Sequence, residues 1–344
     1  MSGRPLANRD LAELLAVAAA AEKEQRQRAL RRAARRALMW PEEAWRLVAE
    51  GRSLTELDGV GPWIARHVLE WLRDPPPVPD PPAIRAGFRS FAECRAIVGE
   101  HPDAKARVRG DHQMHTSETD GAAPLADMVD AAAAYGYERV VITDHSKALV
   151  ITNGMDEARL AAQGREIDAL NEARGRAPLV LRGIEMNLTP DGRGDMDDGA
   201  LAELDLVLGA FHGQLRKKED QTERYLGALA NPTIDVLAHP RGRIWNFRLG
   251  LSADWRRVAE RAAERDVALE IDAYPDRQDL DLGLLAHVAV AGGRVSIGTD
   301  AHNEEELRYL DIGVAAAIDA GIPPERILNC MTTDELRRWR RRPR

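Results

Sequence analysis

The stretch GDHQMHTSETDG, residues 110–121, holds two histidines, a glutamine and three acids within twelve positions, and further histidines and acids close short apolar runs downstream. His115, His145, Glu185, His212, His239 and Asp300 fall at or near the ends of six such runs. His302 follows Asp300 by two residues, and Asp120 lies in the loop after the first run. Imidazole and carboxylate together suit borderline-to-hard divalent ions such as Zn, Mn or Fe, and a carboxylate such as Glu185 can bridge two of them. A single histidine at the end of a run is most often a hydrogen-bonded core residue. Here seven of the nine histidines fall between residues 112 and 302, and five of them close a run or directly follow one. That recurrence points to a metal centre.

The elements that must bring these residues together are seven runs rich in β-branched and aliphatic residues: RVRGDHQMH, RVVITDH, LVLRGIEMNL, LDLVLGAFH, IDVLAHP, VALEIDA and RVSIGTD, separated by helix-like or loop segments. Strands alternating with helices predict an α/β fold with parallel strands. In a closed or nearly closed barrel the strand carboxyl ends converge on one face; an open doubly wound sheet also accommodates the pattern. Alternation along the first strand puts Asp111, Gln113 and His115 on one side and His112 and Met114 on the other. Gln113 therefore stands at a ligand position with only a neutral carbonyl oxygen to offer, which predicts a more loosely held metal or a water-mediated contact. His112 is expected to face the surrounding helices.

The chain has 344 residues, 44% hydrophobic content and a net charge of −8, enough for one large barrel and a small module. Two cysteines, Cys94 and Cys330, make neither a disulfide framework nor a C-x-x-C ligand pair. The apolar stretch LAELLAVAAAA is interrupted by Glu13 and is too short to span a bilayer, so no membrane partner and a cytoplasmic location are expected. Charge is uneven: residues 1–74 carry 13 basic and 11 acidic side chains, a balance of +2, against −10 for the remainder. Within RQRALRRAARR, six arginines including Arg31, Arg32 and Arg35 stand without an acid among them. DPPPVPDPP, residues 74–82, cannot continue a helix and marks a boundary. The expected organisation is a helical domain at 1–74, a proline-rich linker and connecting segment at 75–106, and the barrel at 107–344. DMDD, residues 195–198, reads as a turn and helix cap.

GDHQMHTSETDG, ITDHS, GIEMNL, FHG, AHPRGR and GTDAHN resemble, in order, the motifs of the PHP (polymerase and histidinol phosphatase) domain family, over roughly residues 107–340. The resemblance implies a distorted seven-stranded (βα) barrel with three divalent metal ions and phosphoester hydrolysis. By matching position, one metal takes Gln113, His115, Glu185 and Asp300, a second Glu185, His212 and His239, and a third Asp120, His145 and His302. Only Gln113 departs from the usual H-x-H, and PHP domains attached to bacterial family X DNA polymerases can carry glutamine there, so the departure points to that branch. The amino-terminal segment agrees with that branch: SLTELDGVGPWIARHVLEWL resembles a helix-hairpin-helix, with Gly59 and Gly61 letting backbone amides approach a DNA phosphate.

Two departures limit the resemblance. His67 and Trp63 stand where the family's lyase domain has lysines, so no deoxyribose-phosphate lyase activity is expected. About 25 residues separate the proline-rich segment from VRGDH, far too few for a polymerase palm and fingers. The leading expectation is a metal-dependent phosphoesterase acting on DNA, a 3′-5′ exonuclease or an end- or abasic-site-processing repair enzyme. A hydroxide generated at the metals would attack phosphorus, with Glu185 and His212 at the reaction and Lys147, Arg241 and Arg243 holding the phosphate. The alternatives are a small-molecule phosphatase of histidinol-phosphatase type and a non-catalytic DNA-binding adaptor.

Overall fold

The structure, a computed structural model, describes residues 4–341, so the outermost three residues of each expected end domain lie outside it. It divides into two compact units: Met1–His101 with Ile244–Leu249, and Pro102–Arg243 with Gly250–Arg344.

The first unit is helical, with α1 (Asn8–Ala21), α2 (Glu24–Ala37), α3 (Ala44–Ala49), α4 (Pro62–Arg73) and α5 (Phe91–Glu100). In α2 the residues Leu30, Ala33, Ala34 and Ala37 recur at helical spacing and are buried, which turns Arg31, Arg32 and Arg35 outward. Small residues on α1 and α2, such as Ala12, Ala19 and Ala33, let the two helices pack closely around Leu11, Leu15 and Leu30. Trp40 is buried at the centre of this core and satisfies its indole N–H on the Asp58 carbonyl at 2.9 Å. Gly59 adopts a left-handed φ of +76°, and a Cβ there would meet Arg36 Cγ at 3.1 Å, so backbone conformation and space both favour glycine. Gly61 caps α4 and Pro62 fills its first position, where a missing N–H costs nothing. The chain-distant segment Ile244–Leu249 belongs to this unit: Trp245 lies in its core, and the Asn246 N–H donates to the Ile84 carbonyl at 3.0 Å.

The second unit begins with α6 (Pro102–Arg107) and contains seven strands: β1 (Gly110–Met114), β2 (Arg139–Ile142), β3 (Leu179–Asn187), β4 (Leu206–Ala210), β5 (Val236–Ala238), β6 (Ala268–Asp272) and β7 (Arg294–Gly298). All adjacent pairs are parallel and the spatial order is the sequence order, the arrangement of a barrel built from successive βα units. Just past the end of β7 the ring nearly closes on β1: the Asp300 N–H donates to the Gln113 carbonyl at 3.1 Å, and the His115 N–H to the Ala301 carbonyl at 2.8 Å. Surrounding helices include α7 (Leu125–Ala134), α8 (Glu157–Arg174), the short α9 (Asp198–Ala202), α10 (Thr222–Ala230), α11 (Trp255–Arg265), α12 (Leu282–Ala291), α13 (Leu310–Asp319) and α14 (Thr333–Arg340). The strands are almost wholly buried, as parallel strands covered by helices must be. Of the expected DMDD turn, Asp197 takes the position before α9 without a side-chain cap, and Asp195 instead accepts from Ser146 Oγ and the Ala148 N–H, both at 2.7 Å. Among the described residues no helix is long and apolar enough to cross a membrane.

Candidate metal centre

Glu185 is the hub. It lies on β3 with no solvent exposure, and four imidazoles surround its carboxylate. Oε1 is 2.7 Å from His239 Nε2 and 2.9 Å from His212 Nε2; Oε2 is 3.3 Å from His145 Nδ1 and 3.4 Å from His115 Nε2. Asp300 lies 3.0 Å from His115 Nε2, and Asp120 lies 3.4 Å from His145 Nε2 and 3.5 Å from His302 Nε2. The rings of His145 and His302 stack on His115, each with centroids 4.5 Å apart. Three overlapping groups have donor atoms within 4.8 Å of one another: His115, Asp120, His145 and His302; His145, Glu185 and His212; and His115, Glu185 and Asp300. The structure thus brings together all eight histidine and carboxylate residues read from the sequence as candidate ligands.

Gln113 joins them, its Nε2 3.5 Å from Asp300 Oδ1 and its Oε1 buried without a hydrogen-bond partner among the described residues. The space it occupies exists because position 298 is glycine: a Cβ there would lie 2.6 Å from both Gln113 Cβ and Glu270 Oε1. His112 points away, bonded to Ser296 Oγ at 3.0 Å and close to the Arg139 guanidinium. Burial and that neighbouring charge hold its pKa well below the usual histidine value, so it is neutral.

Neighbouring oxygen acceptors aim several of the ligands. His302 Nδ1 donates to the Asp300 carbonyl at 2.7 Å and His212 Nδ1 to Asn187 Oδ1 at 3.1 Å, which leaves each Nε2 lone pair for the cluster. His239 and Asp300 both have positive φ, +26° and +53°, a conformation that most side chains avoid and that accumulates at functional sites. The His239 N–H exposed by that turn donates to Glu270 Oε2 at 2.5 Å.

The electrostatics call for positive charge between these groups. Burial opposes ionisation of Glu185, yet His145, His239 and His212 together hold its pKa well below normal. Burial likewise opposes protonation of His239, but Glu185 and the nearby acids raise its pKa to about 10. His302 is raised to about 9 against its burial by Asp120 and Asp300. His212, for which burial is the largest influence, is lowered. Nitrogen lone pairs and carboxylate oxygens at 2.7–2.9 Å are stable only with a proton or a cation between them. The mixed imidazole and carboxylate donors, the buried Gln113 Oε1 and Glu185 Oε2, which accept no hydrogen bond among the described residues, and the cradle left by Gly298 fit divalent ions.

Three charged residues at this site carried no signal strong enough to single them out in the sequence. Glu270 and Asp272 are fully buried on β6, and burial is the main cause that raises both pKa values well above normal. Their alternate spacing in VALEIDA was the available clue to an inward face. Arg277, from the loop after β6, forms an ion pair with Asp300 and lies 3.7 Å from Asp272. The cations expected to hold phosphate each pair with an acid. Arg243 is buried, with Nη1 3.0 Å from Asp281 and Nε donating to the Arg277 carbonyl at 2.9 Å. Arg241 also pairs with Asp281, at 2.7 Å, and Lys147 pairs with Glu157 at 2.6 Å.

No family model matches the chain. It is 36% identical over 237 residues to the DNA polymerase/3'-5' exonuclease PolX of Bacillus subtilis (strain 168), an alignment that takes 69% of this chain and 41% of that protein. It is 30% identical over 244 residues to the probable phosphatase YcdX of Escherichia coli O81 (strain ED1a), covering 64% of this chain and 89% of the relative. Among solved structures it is similar to the histidinol phosphate phosphatase (HISK) from Lactococcus lactis subsp. lactis Il1403 complexed with Zn, L-histidinol and phosphate, with a TM-score of 0.46, 16% identity, and 63% and 95% of the two chains covered. The chain belongs to the PHP family. It is an enzyme of the metal-dependent phosphoesterase class, and among the described residues there is no polymerase palm.

Proposed function

We propose that this protein hydrolyses phosphodiesters in DNA, acting at 3′ ends as an exonuclease or trimming damaged ends and abasic sites. The observation that carries the reading is the gathering of eight other candidate ligands around one buried carboxylate, Glu185, at the carboxyl ends of the strands. One ion would be held by Gln113, His115, Glu185 and Asp300, a second by Glu185, His212 and His239, and a third by Asp120, His145 and His302. Divalent ions in such a site neutralise charge on a phosphoryl group and lower the pKa of water. Around them, His212 and Glu185 hold the reacting end of the site, and Arg277 supplies a guanidinium beside Asp300 that can hold a phosphoryl oxygen. Arg243 fixes the backbone of Arg277 through its carbonyl.

DNA as substrate is supported by the similarity to the Bacillus subtilis polymerase and exonuclease, although the chain spans 41% of that relative's length. It is also supported by the outward arginines of α2 and by the Gly59–Gly61 turn opening α4, which we read as a helix-hairpin-helix phosphate contact. A second reading, a phosphatase for small phosphoesters, is favoured by the 89% coverage of the probable phosphatase from Escherichia coli. Elemental analysis of the purified protein, with a turnover screen of 3′-labelled DNA against sugar and amino-alcohol phosphates, separates the two. His145→Ala and His239→Ala are each expected to abolish turnover of whichever substrate is found. Full activity in either variant overturns the ligand assignment.

A further inference from the structure

A cavity of about 390 Å³ opens beside His212, in the range of small-ligand pockets, and is lined among others by Asn187, Thr189, Gln214 and Arg224. Among the described residues no carboxylate lines it. Arg224, on α10, is only 7% exposed. Its guanidinium carbon sits 4.0 Å from the Phe211 ring centroid, and Nη2 donates to the Gly213 carbonyl at 2.8 Å, so it grips both neighbours of His212. Among the described residues, Nε and Nη1 are buried without a hydrogen-bond partner and no acid forms an ion pair with Arg224. Burial of an unpaired guanidinium is costly, and a role confined to supporting His212 accounts for the stacking and for Nη2 while leaving two donors idle.

We propose that Arg224 is the anion-recognition residue of a substrate pocket adjoining the metal cluster, and that it binds a second phosphate of the substrate, next to the one hydrolysed. This rests on the phosphodiesterase reading and deepens it. A substrate with a neighbouring backbone phosphate gains a charge-assisted contact in a pocket with no opposing acid, whereas a leaving group bearing an ammonium is disfavoured there.

The test compares the dinucleoside monophosphate TpT with its 5′-phosphorylated form pTpT, using the 344-residue chain loaded with manganese. The wild type is expected to prefer pTpT by about tenfold or more in kcat/KM, the scale of a charge-assisted hydrogen bond. In Arg224→Gln the preference collapses, chiefly through KM for pTpT, and Arg224→Lys retains part of it. Calorimetric titration of the metal-free protein with each dinucleotide gives a readout independent of turnover: pTpT binds more tightly than TpT to wild type and equally to Arg224→Gln. Equal handling of the two dinucleotides by wild type overturns the proposal, and so does a preference that survives in a folded Arg224→Gln. Should that variant melt early, the wild-type ratio and Arg224→Lys decide. If neither dinucleotide is hydrolysed, the phosphodiesterase reading fails while the titrations still judge the pocket.

Discussion

His239 Nε2 lies 2.7 Å from Glu185 Oε1 in a buried setting, and the pair has a charge requirement that a proton or a metal ion can meet. When no metal is bound, His239, raised from 6.5 to about 10, meets it with a proton, and His302, raised to about 9, does the same toward Asp120 and Asp300. Their contribution to the stability of the metal-free fold is fully present below pH 6.5 and is lost as pH rises through 9 to 10. Metal binding has the opposite sign, because both imidazoles must give up their protons to ligate. Zinc or manganese affinity is therefore expected to climb with pH up to that window, with protons released on binding. Titration calorimetry in buffers of different ionisation enthalpy measures the release; affinity independent of pH between about 7 and 9 contradicts the assignment.

Asn187 supports the centre without ligating it. Its Oδ1 accepts from His212 Nδ1 at 3.1 Å and fixes the tautomer that presents Nε2 to Glu185. Asn187→Ala is expected to weaken the metal that His212 holds by roughly 10–100-fold, the usual effect of removing a partner of this kind. Metal content after dialysis against a graded chelator series reads it, and loss of an ion with an unchanged melting profile of the metal-free protein separates ligand orientation from folding.

The barrel and most of this centre were legible because parallel βα units put one kind of information, the residue closing each strand, in one place. His115, His145, His212, His239 and Asp300 could be read that way. Glu270, Asp272 and Arg277 could not, since acids within a strand and an arginine in a loop are common on surfaces, and only the closure of β6 against β7 and the loop path bury them here. Arg243 shows a partner the sequence does not indicate: it follows AHP within three residues, and the acid that engages it, Asp281, is 38 residues away. Nor does the sequence indicate that Ile244–Leu249, bracketed by barrel elements, belongs to the helical unit, because that depends on where Trp245 finds its core.

The outward face of α2 gives a prediction about DNA. Arg31, Arg32 and Arg35 are exposed, and the buried alanines opposite them make the helix tolerant of substitution on this face. If they engage backbone phosphates, replacing all three with alanine reduces the slope of log affinity against log salt by up to about 2.7, at about 0.9 for each phosphate that is no longer neutralised. Fluorescence anisotropy with labelled duplex and 3′-overhang DNA at several salt concentrations provides the slope. An unaltered slope removes α2 from the DNA surface while leaving the metal centre untouched.

Gln113→His tests the weakest corner of the cluster. Among the described residues Gln113 Oε1 is buried without a hydrogen-bond partner and Nε2 makes a 3.5 Å contact with Asp300, so the side chain is placed toward the candidate ligands but offers a neutral oxygen at best. Imidazole is the better donor to zinc or iron, and the variant is expected to hold the ion shared by His115 and Asp300 more tightly. Turnover need not rise, because a more firmly held ion can also hold product phosphate longer. The room is limited: Gly298 leaves just enough space for Gln113 Cβ and Glu270 Oε1, and a ring at 113 has to fit the same cradle. Chelator-release titration distinguishes the outcomes, since the ion lost first from wild type should be lost later from Gln113→His. Coincident release curves in a variant of unchanged melting temperature show that residue 113 does not ligate, and that the loosest ion is held elsewhere in the cluster.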